Sequence, residues 1–242
     1  MNITICHLYY DIMNLYGENG NFKVLCRHLE NAGFTVEKTY KTINEKKDFS
    51  AYNIIYMGCG TEENQKLALN ELLNEKQALN NFLNDDTKLA IFTGNSFEIL
   101  GESIISADKK IYNCLNIYNF KTVELSEKRF NKDSLCRFEA INEKIVGYIN
   151  KSSETFGIET PMFKVLLGTG NSEKDQFEGF FTKNCLCTHL IGPLLARNPS
   201  FTKYIISLIS EKNNFVPQLT SVYENEEQAY RIVLNELNKL IN

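Results

Sequence analysis

The sequence predicts an α/β protein with a mostly parallel central sheet flanked by helices and a small antiparallel portion. Three observations carry that expectation. Apolar strand-like runs alternate with helical stretches over about the first hundred residues, the rhythm of βαβ units. From about Ile111 to Tyr148 the pattern changes to short alternating runs (KTVEL, LCRFEA, KIVGYI) that read as antiparallel strands and hairpins. The C-terminal part then returns to helical periodicity.

In chain order, ITICHLY (residues 3–9) forms the first strand. A polar, glycine-punctuated loop from Asn14 to Gly20 precedes the helical pattern FKVLCRHLENAG, which Gly33 closes as the left-handed residue past the helix end. FTVEKTY alternates as a second strand. YNIIYM (52–57) is a third, ending in Gly58-Cys59-Gly60 and feeding a long helix from about Glu62 to Asn84 with leucines at 67, 69, 72, 73, 79 and 83. KLAIFT is a further buried strand. Helices are expected near Ser200–Lys212, with Pro199 at the start, and near Asn225–Leu240, with SVYENEEQ as the start signal. Parallel sheets of this type bind ligands at the carboxyl ends of their strands.

A chain of 242 residues, 43% hydrophobic and 23% charged, is large enough to bury a continuous core without staples. No repeat, low-complexity segment or Gly/Ser/Pro-rich linker interrupts it, so one domain over residues 1–242 is expected. The net charge of −4 is interspersed along the chain, which speaks against nucleic-acid binding and polybasic membrane attachment. No apolar run approaches the roughly 20 residues that span a bilayer, and NITICHLYY reads as a strand and not as a leader, so the expected location is cytoplasmic. Seven cysteines, an odd number, are expected as reduced thiols.

The stretch LAIFTGNSFEILGES (89–103) has the form of a nucleophile elbow: an apolar run, a tight Gly-Asn-Ser turn, then an amphipathic stretch opening a helix. Where such a turn presents a nucleophile, this one has Gly94. Ser96 lies two residues on, but a serine at a helix start is more often a cap. Cys59 is expected to face the elbow across adjacent strand ends. Cys185, Cys187 and His189 alternate onto one face of a strand, a C-x-C-x-H pattern that zinc sites seldom use without wider spacing and a fourth ligand.

LYYDIMNLYGENGN, MGCGTEENQ, TGNSFEILGE, LLGTGNSEKDQFEG and TKNCLCTHLIGPLLARNP fall in the order and spacing of the cobyric-acid-synthase-like class I glutamine amidotransferases. The chain resembles that family, and within it the glutaminase subunits of lipid II isoglutaminyl synthases. The resemblance implies the flavodoxin-like class I amidotransferase fold, no cofactor, and a Mur-ligase-like synthetase subunit as partner in peptidoglycan-precursor amidation. In the family an elbow cysteine attacks the glutamine amide, a histidine shuttles protons, and backbone N–H groups of a glycine-rich loop hold the oxyanion.

Aligned on Leu100-Gly101, the nucleophile position is Gly94; aligned on Gly192-Pro193, the base position is Ile191. His189 is displaced by two residues, about 6.6 Å along an extended strand, beyond the reach of a proton relay. The resemblance places Gly58, Gly60, Asn95, Glu98, Arg129 and Asn150 at the substrate pocket, with the Arg129 fork suited to a carboxylate. Glu98 stands where the family has glutamine and Lys151 where it has histidine; the extra carboxylate disfavours an anionic ligand group and favours a cationic one. The reading is a non-hydrolysing partner subunit. Its rivals are a glutaminase with a relocated nucleophile such as Cys59, and a small-molecule sensor using the vacated pocket.

Overall fold

In the computed structural model, which describes residues 1–218 and 223–241, the elements run β1 (Asn2–Leu8), α1 (Glu18–Asn31), β2 (Thr35–Lys41), β3 (Ile54–Met57), α2 (Glu62–Leu72), α3 (Lys76–Leu83) and β4 (Leu89–Thr93). They continue as β5 (Ser103–Ile105), β6 (Ile111–Asn113), β7 (Lys121–Glu124), β8 (Phe130–Phe138), β9 (Glu143–Lys151), β10 (Ser153–Phe156) and β11 (Phe163–Leu167). The chain closes with β12 (Phe177–Glu178), β13 (Phe180–Thr182), β14 (Cys185–Thr188), α4 (Leu194–Arg197), α5 (Pro199–Lys212) and α6 (Glu224–Lys239).

The main sheet has the order β13-β14-β4-β3-β1-β2, parallel except for the β13 edge. Every residue of β3, β4 and β14 is buried, as expected of central strands covered on both faces. Alternation sends Ile3, Ile5, Ile54, Tyr56, Leu89 and Ile91 to a core shared with α1, α5 and the β8–β9 hairpin. The intervening Cys6, Leu8, Ile55, Met57, Ala90 and Phe92 go to a second core beneath α2 and α3. Two four-stranded sheets, β10-β7-β5-β6 and β12-β11-β8-β9, form the antiparallel portion apart from the parallel β5–β7 pair. The β8–β9 hairpin pairs continuously from Phe130↔Lys151 to Phe138↔Glu143, and Asn142 turns it in the left-handed region.

Several boundaries differ from the sequence expectation. Helix α1 begins at Glu18, because Gly17 at φ 85° makes the turn that the polar loop was expected to extend to Gly20. Gly33 at φ 96° does end it. The single helix expected from Glu62 to Asn84 is two, separated by a 3₁₀ turn at Leu73–Glu75, and Thr61 caps its start by accepting from the Asn64 N–H. After the elbow, Gly94–Leu100 is a 3₁₀ segment and not the start of an α-helix. Pro199 opens α5 as expected. Ser221 and Val222 of the SVYENEEQ signal lie outside the described residues; α6 follows from Glu224. Among the described residues no helix is long and apolar enough to cross a membrane.

Candidate functional site at the strand ends

At the carboxyl ends of β1, β3, β4 and β14 lies a cavity of about 220 Å³. Its wall takes Tyr16 from the β1–α1 loop, Cys59 and Gly60 from the β3–α2 turn, Gly94, Asn95 and Glu98 from the elbow segment, and Arg129, Asn150, Lys151 and His189 from the remainder. Gly58 stands behind the wall: a Cβ there would lie 2.6 Å from the Glu18 Cβ and 2.7 Å from the Met13 carbonyl.

Gly94 holds φ 65°, the left-handed conformation of a sharp strand-to-helix turn. A Cβ at Gly94 would meet the Cys59 side chain, with the sulfur 2.6 Å away. The volume that an elbow side chain would fill is thus held by the Cys59 thiol. That thiol is buried, and burial pushes it up to about 12, with the carboxylates Glu18, Glu98 and Glu62 adding to the effect. Ser96 is buried and its hydroxyl is directed at the Met57 and Thr93 carbonyls at 3.0 and 2.8 Å.

Asn95 occupies the glycine-rich turn itself. The Gly60 N–H donates to Asn95 Oδ1 at 3.1 Å, and Asn95 Nδ2 donates back to the Gly60 carbonyl at 3.0 Å. The Gly60 N–H therefore already has an acceptor. Below the elbow, fully buried Glu18 accepts from Tyr56 Oη at 2.5 Å and from Thr93 Oγ1; burial raises its carboxyl above the usual range.

His189 departs from expectation. Strand β14 ends at Thr188, so His189 is not on extended backbone and the strand spacing does not set its position. Its ring packs edge-on against Phe97 at 4.5 Å and places Nε2 3.2 Å from Glu98 Oε1. Nδ1 lies 3.4 Å from Glu178 Oε1, and the Glu178 carboxylate accepts from Thr188 Oγ1 and from the His189 N–H, both at 2.6 Å. Ile191 lies off the cavity wall, buried, with its N–H on the Tyr148 carbonyl at 3.0 Å. The C-x-C-x-H pattern does not converge: Cys185 and Cys187 sulfurs lie 3.4 Å apart inside the second core, and no metal-holding group of His, Cys, Asp or Glu is found among the described residues.

Arg129 stands at the mouth, with Nη1 donating to Asn150 Oδ1 at 2.9 Å and Nη2 to Glu62 Oε1 and Ser152 Oγ at 2.9 and 3.2 Å. Burial works against the Glu62 charge, but its backbone hydrogen bond, Ser152 and Arg129 prevail and hold the carboxyl below its ordinary value. Lys151 is buried; burial lowers its ammonium to about 8 against the pull of Glu98 and Glu178. Its Nζ donates to the carbonyls of Gly170 and Asn171 at 3.0 and 2.8 Å. Glu98, 2% exposed, accepts from Gln65 Nε2 at 2.8 Å and Ser153 Oγ at 2.5 Å besides its His189 contact.

A parallel α/β sheet with a glycine-hinged elbow and a glycine-rich turn at its carboxyl edge fits a glutamine amidotransferase framework. Residues 4–199 match the CobB/CobQ-like glutamine amidotransferase domain, and the chain belongs to that family. It is 29% identical to the lipid II isoglutaminyl synthase (glutamine-hydrolyzing) subunit GatD of Streptococcus pneumoniae, over 87% of this chain and 81% of the relative. It is 28% identical to the subunit of the same name from Staphylococcus aureus, over 98% and 97% of the two chains. The fold is also that of a glutamine amidotransferase of Thermotoga maritima (TM-score 0.53, 10% identity, 99% of this chain and 96% of the other). A chain of the PurLQS structure from the same organism shares it (TM-score 0.51, 16% identity, 98% and 100%).

Proposed function

We propose that this chain is a non-hydrolysing, amidotransferase-like subunit that docks on and stabilises a Mur-ligase-like, ATP-dependent amide synthase of the peptidoglycan-precursor type. Its relatives' designation as synthase subunits supports the partner class. The parallel order β2-β1-β3-β4-β14 supports the flavodoxin-like reading of the fold, and the length of the matches supports one domain, residues 1–242. The absence of a spanning helix among the described residues is consistent with a cytoplasmic location.

One observation carries the proposal: the elbow volume and the Gly60 N–H of the glycine-rich turn are both taken from within. The Cys59 thiol takes the volume of the missing elbow side chain, and Asn95 Oδ1 takes the Gly60 N–H that an oxyanion would need. A single oxyanion donor is worth about 3–4 kcal/mol of transition-state stabilisation, so an occupied one is a large deficit even before the nucleophile is considered.

The rival, a glutaminase with Cys59 as nucleophile, draws on His189 lining the same cavity with Glu178 behind it. Against it stands the thiol at about 12, which leaves almost no thiolate at neutral pH. The deciding experiment measures ammonia release from glutamine by the purified chain, alone and with the synthetase. The expected result is no release above the uncatalysed background. Robust turnover abolished by Cys59→Ala would establish the rival instead.

A further inference from the structure

Lys151 closes β9, and its side chain is sunk into the cavity wall, 5% exposed. Its ammonium grips backbone: Nζ donates to the Gly170 and Asn171 carbonyls at 3.0 and 2.8 Å, in the loop between β11 and β12. The next link is Asn171, whose side chain is fully buried. Asn171 Oδ1 accepts from the Gly179 N–H at 2.8 Å and Nδ2 donates to the Gly179 carbonyl at 3.1 Å, a two-point hold on one residue. Gly179 follows Glu178, whose carboxylate accepts from the His189 N–H and from Thr188 Oγ1. Hydrogen bonds, and the short lengths of chain between them, thus lead from the Lys151 ammonium to the backbone of His189.

The charge on Lys151 matters to the first of these links. The carboxylates that attract it are Glu98 of the elbow segment, Glu178 of β12, Glu154 of β10 and Asp175 of the β11–β12 loop, and the Phe130 ring centroid of β8 lies 5.9 Å from Nζ. The Arg129–Glu62 and Lys66–Glu124 pairs are the other charges on the same cavity. Hydrogen bonds from an ionised donor are roughly twice as strong as neutral ones, so the hold on the loop depends on the proton. Burial works against that proton and lowers the group to about 8. The ammonium is present below that value and gives way to the amine as pH rises through it, so the hold weakens on the alkaline side.

We propose that Lys151 is a positioning residue: its ammonium holds the Gly170 and Asn171 carbonyls and so fixes, through Asn171, Gly179 and Glu178, the place of His189 on the cavity wall. An imidazole that addresses a ligand needs such a supporting shell, because a group whose backbone is free to shift loses the geometry that binding or chemistry requires. No step passes through a substrate. The inference therefore stands apart from whether the cavity hydrolyses glutamine, and an ammonia-release result of either sign leaves its test intact.

Amide NMR of the full-length chain supplies that test. In the wild type the Gly179 and His189 N–H signals are expected to move together, with one midpoint near about 8. Lys151→Met keeps the apolar stem and removes donors and charge. It should abolish the common step and speed amide exchange at both positions by about tenfold or more, since a hydrogen bond to a charged group is worth at least that factor. Asn171→Ala leaves the ammonium in place and cuts the relay beyond it, and should speed exchange at His189 likewise. Ile55 and Tyr56 in β3 are the control and should not accelerate in either variant. The inference is overturned by the absence of a common step in the wild type, by unchanged His189 exchange in either variant, or by an acceleration that reaches β3 equally. If a variant does not fold, the wild-type titration decides alone.

Discussion

Placing a cysteine at the elbow is the sharpest perturbation available. In Gly94→Cys the new Cβ would stand 2.6 Å from the Cys59 sulfur and 3.2 Å from its Cα, and the residue would carry φ 65°. The left-handed conformation costs a non-glycine residue about 1–2 kcal/mol, and overpacking a buried site about 1–3 kcal/mol. The variant should therefore lose about 2–5 kcal/mol, a drop in melting temperature of roughly 4–20 °C for a chain of this size. Thermal melts of three proteins test this. Gly94→Cys should be clearly destabilised, Cys59→Gly only mildly, and Gly94→Cys/Cys59→Gly should recover most of the overpacking loss because the two side chains compete for one volume. A single Gly94→Cys variant as stable as wild type would refute the steric argument. Adding Ile191→His to the pair should still give glutaminase activity far below family levels, because Ile191 lies off the cavity wall and the Gly60 N–H stays capped. Further Asn95→Gly should raise the rate by freeing that donor.

Two further outcomes follow from the charges. Arg129 and Glu62 are 45% and 40% exposed, so their ion pair is screened, and Arg129→Ala should change stability by no more than about 1 kcal/mol, with the melting temperature moving by a few degrees at most. Burial pushes the thiols of Cys6, Cys26, Cys59 and Cys114 from 9.0 up to about 12. With folded values raised, their contribution is fully present below pH 9 and is lost as pH rises towards 12, so melting temperatures should fall across that window. Thiolate absorbance appearing in the native protein with all midpoints near the unfolded value would contradict this.

Much of the architecture was legible because central strands announce themselves: IIYM and LAIFT are continuous apolar runs that a two-sided sheet requires. The break between α2 and α3 was not, since Leu73-Asn74-Glu75 contains neither glycine nor proline. At the site, Gly94, Cys59, Asn95 and Glu98 could be placed from the elbow and turn spacing. Glu178 was missed: it lies on a two-residue strand, and nothing in QFEGF marks a carboxylate that meets a histidine eleven residues later. Arg129 was read as a fork for a ligand carboxylate; the carboxylate it meets is Glu62, from the start of α2. Such long-range pairings leave no periodic trace in a sequence.

The end of β14 at Thr188 has a wider implication. One residue beyond a strand, the chain is free to aim a side chain in directions that the pleat forbids, so an offset of two in an alignment column need not be an offset in space. A histidine can drift along such a bend and still address the same chamber. His189 thus reaches the cavity wall from a bend whose direction no strand register foretells.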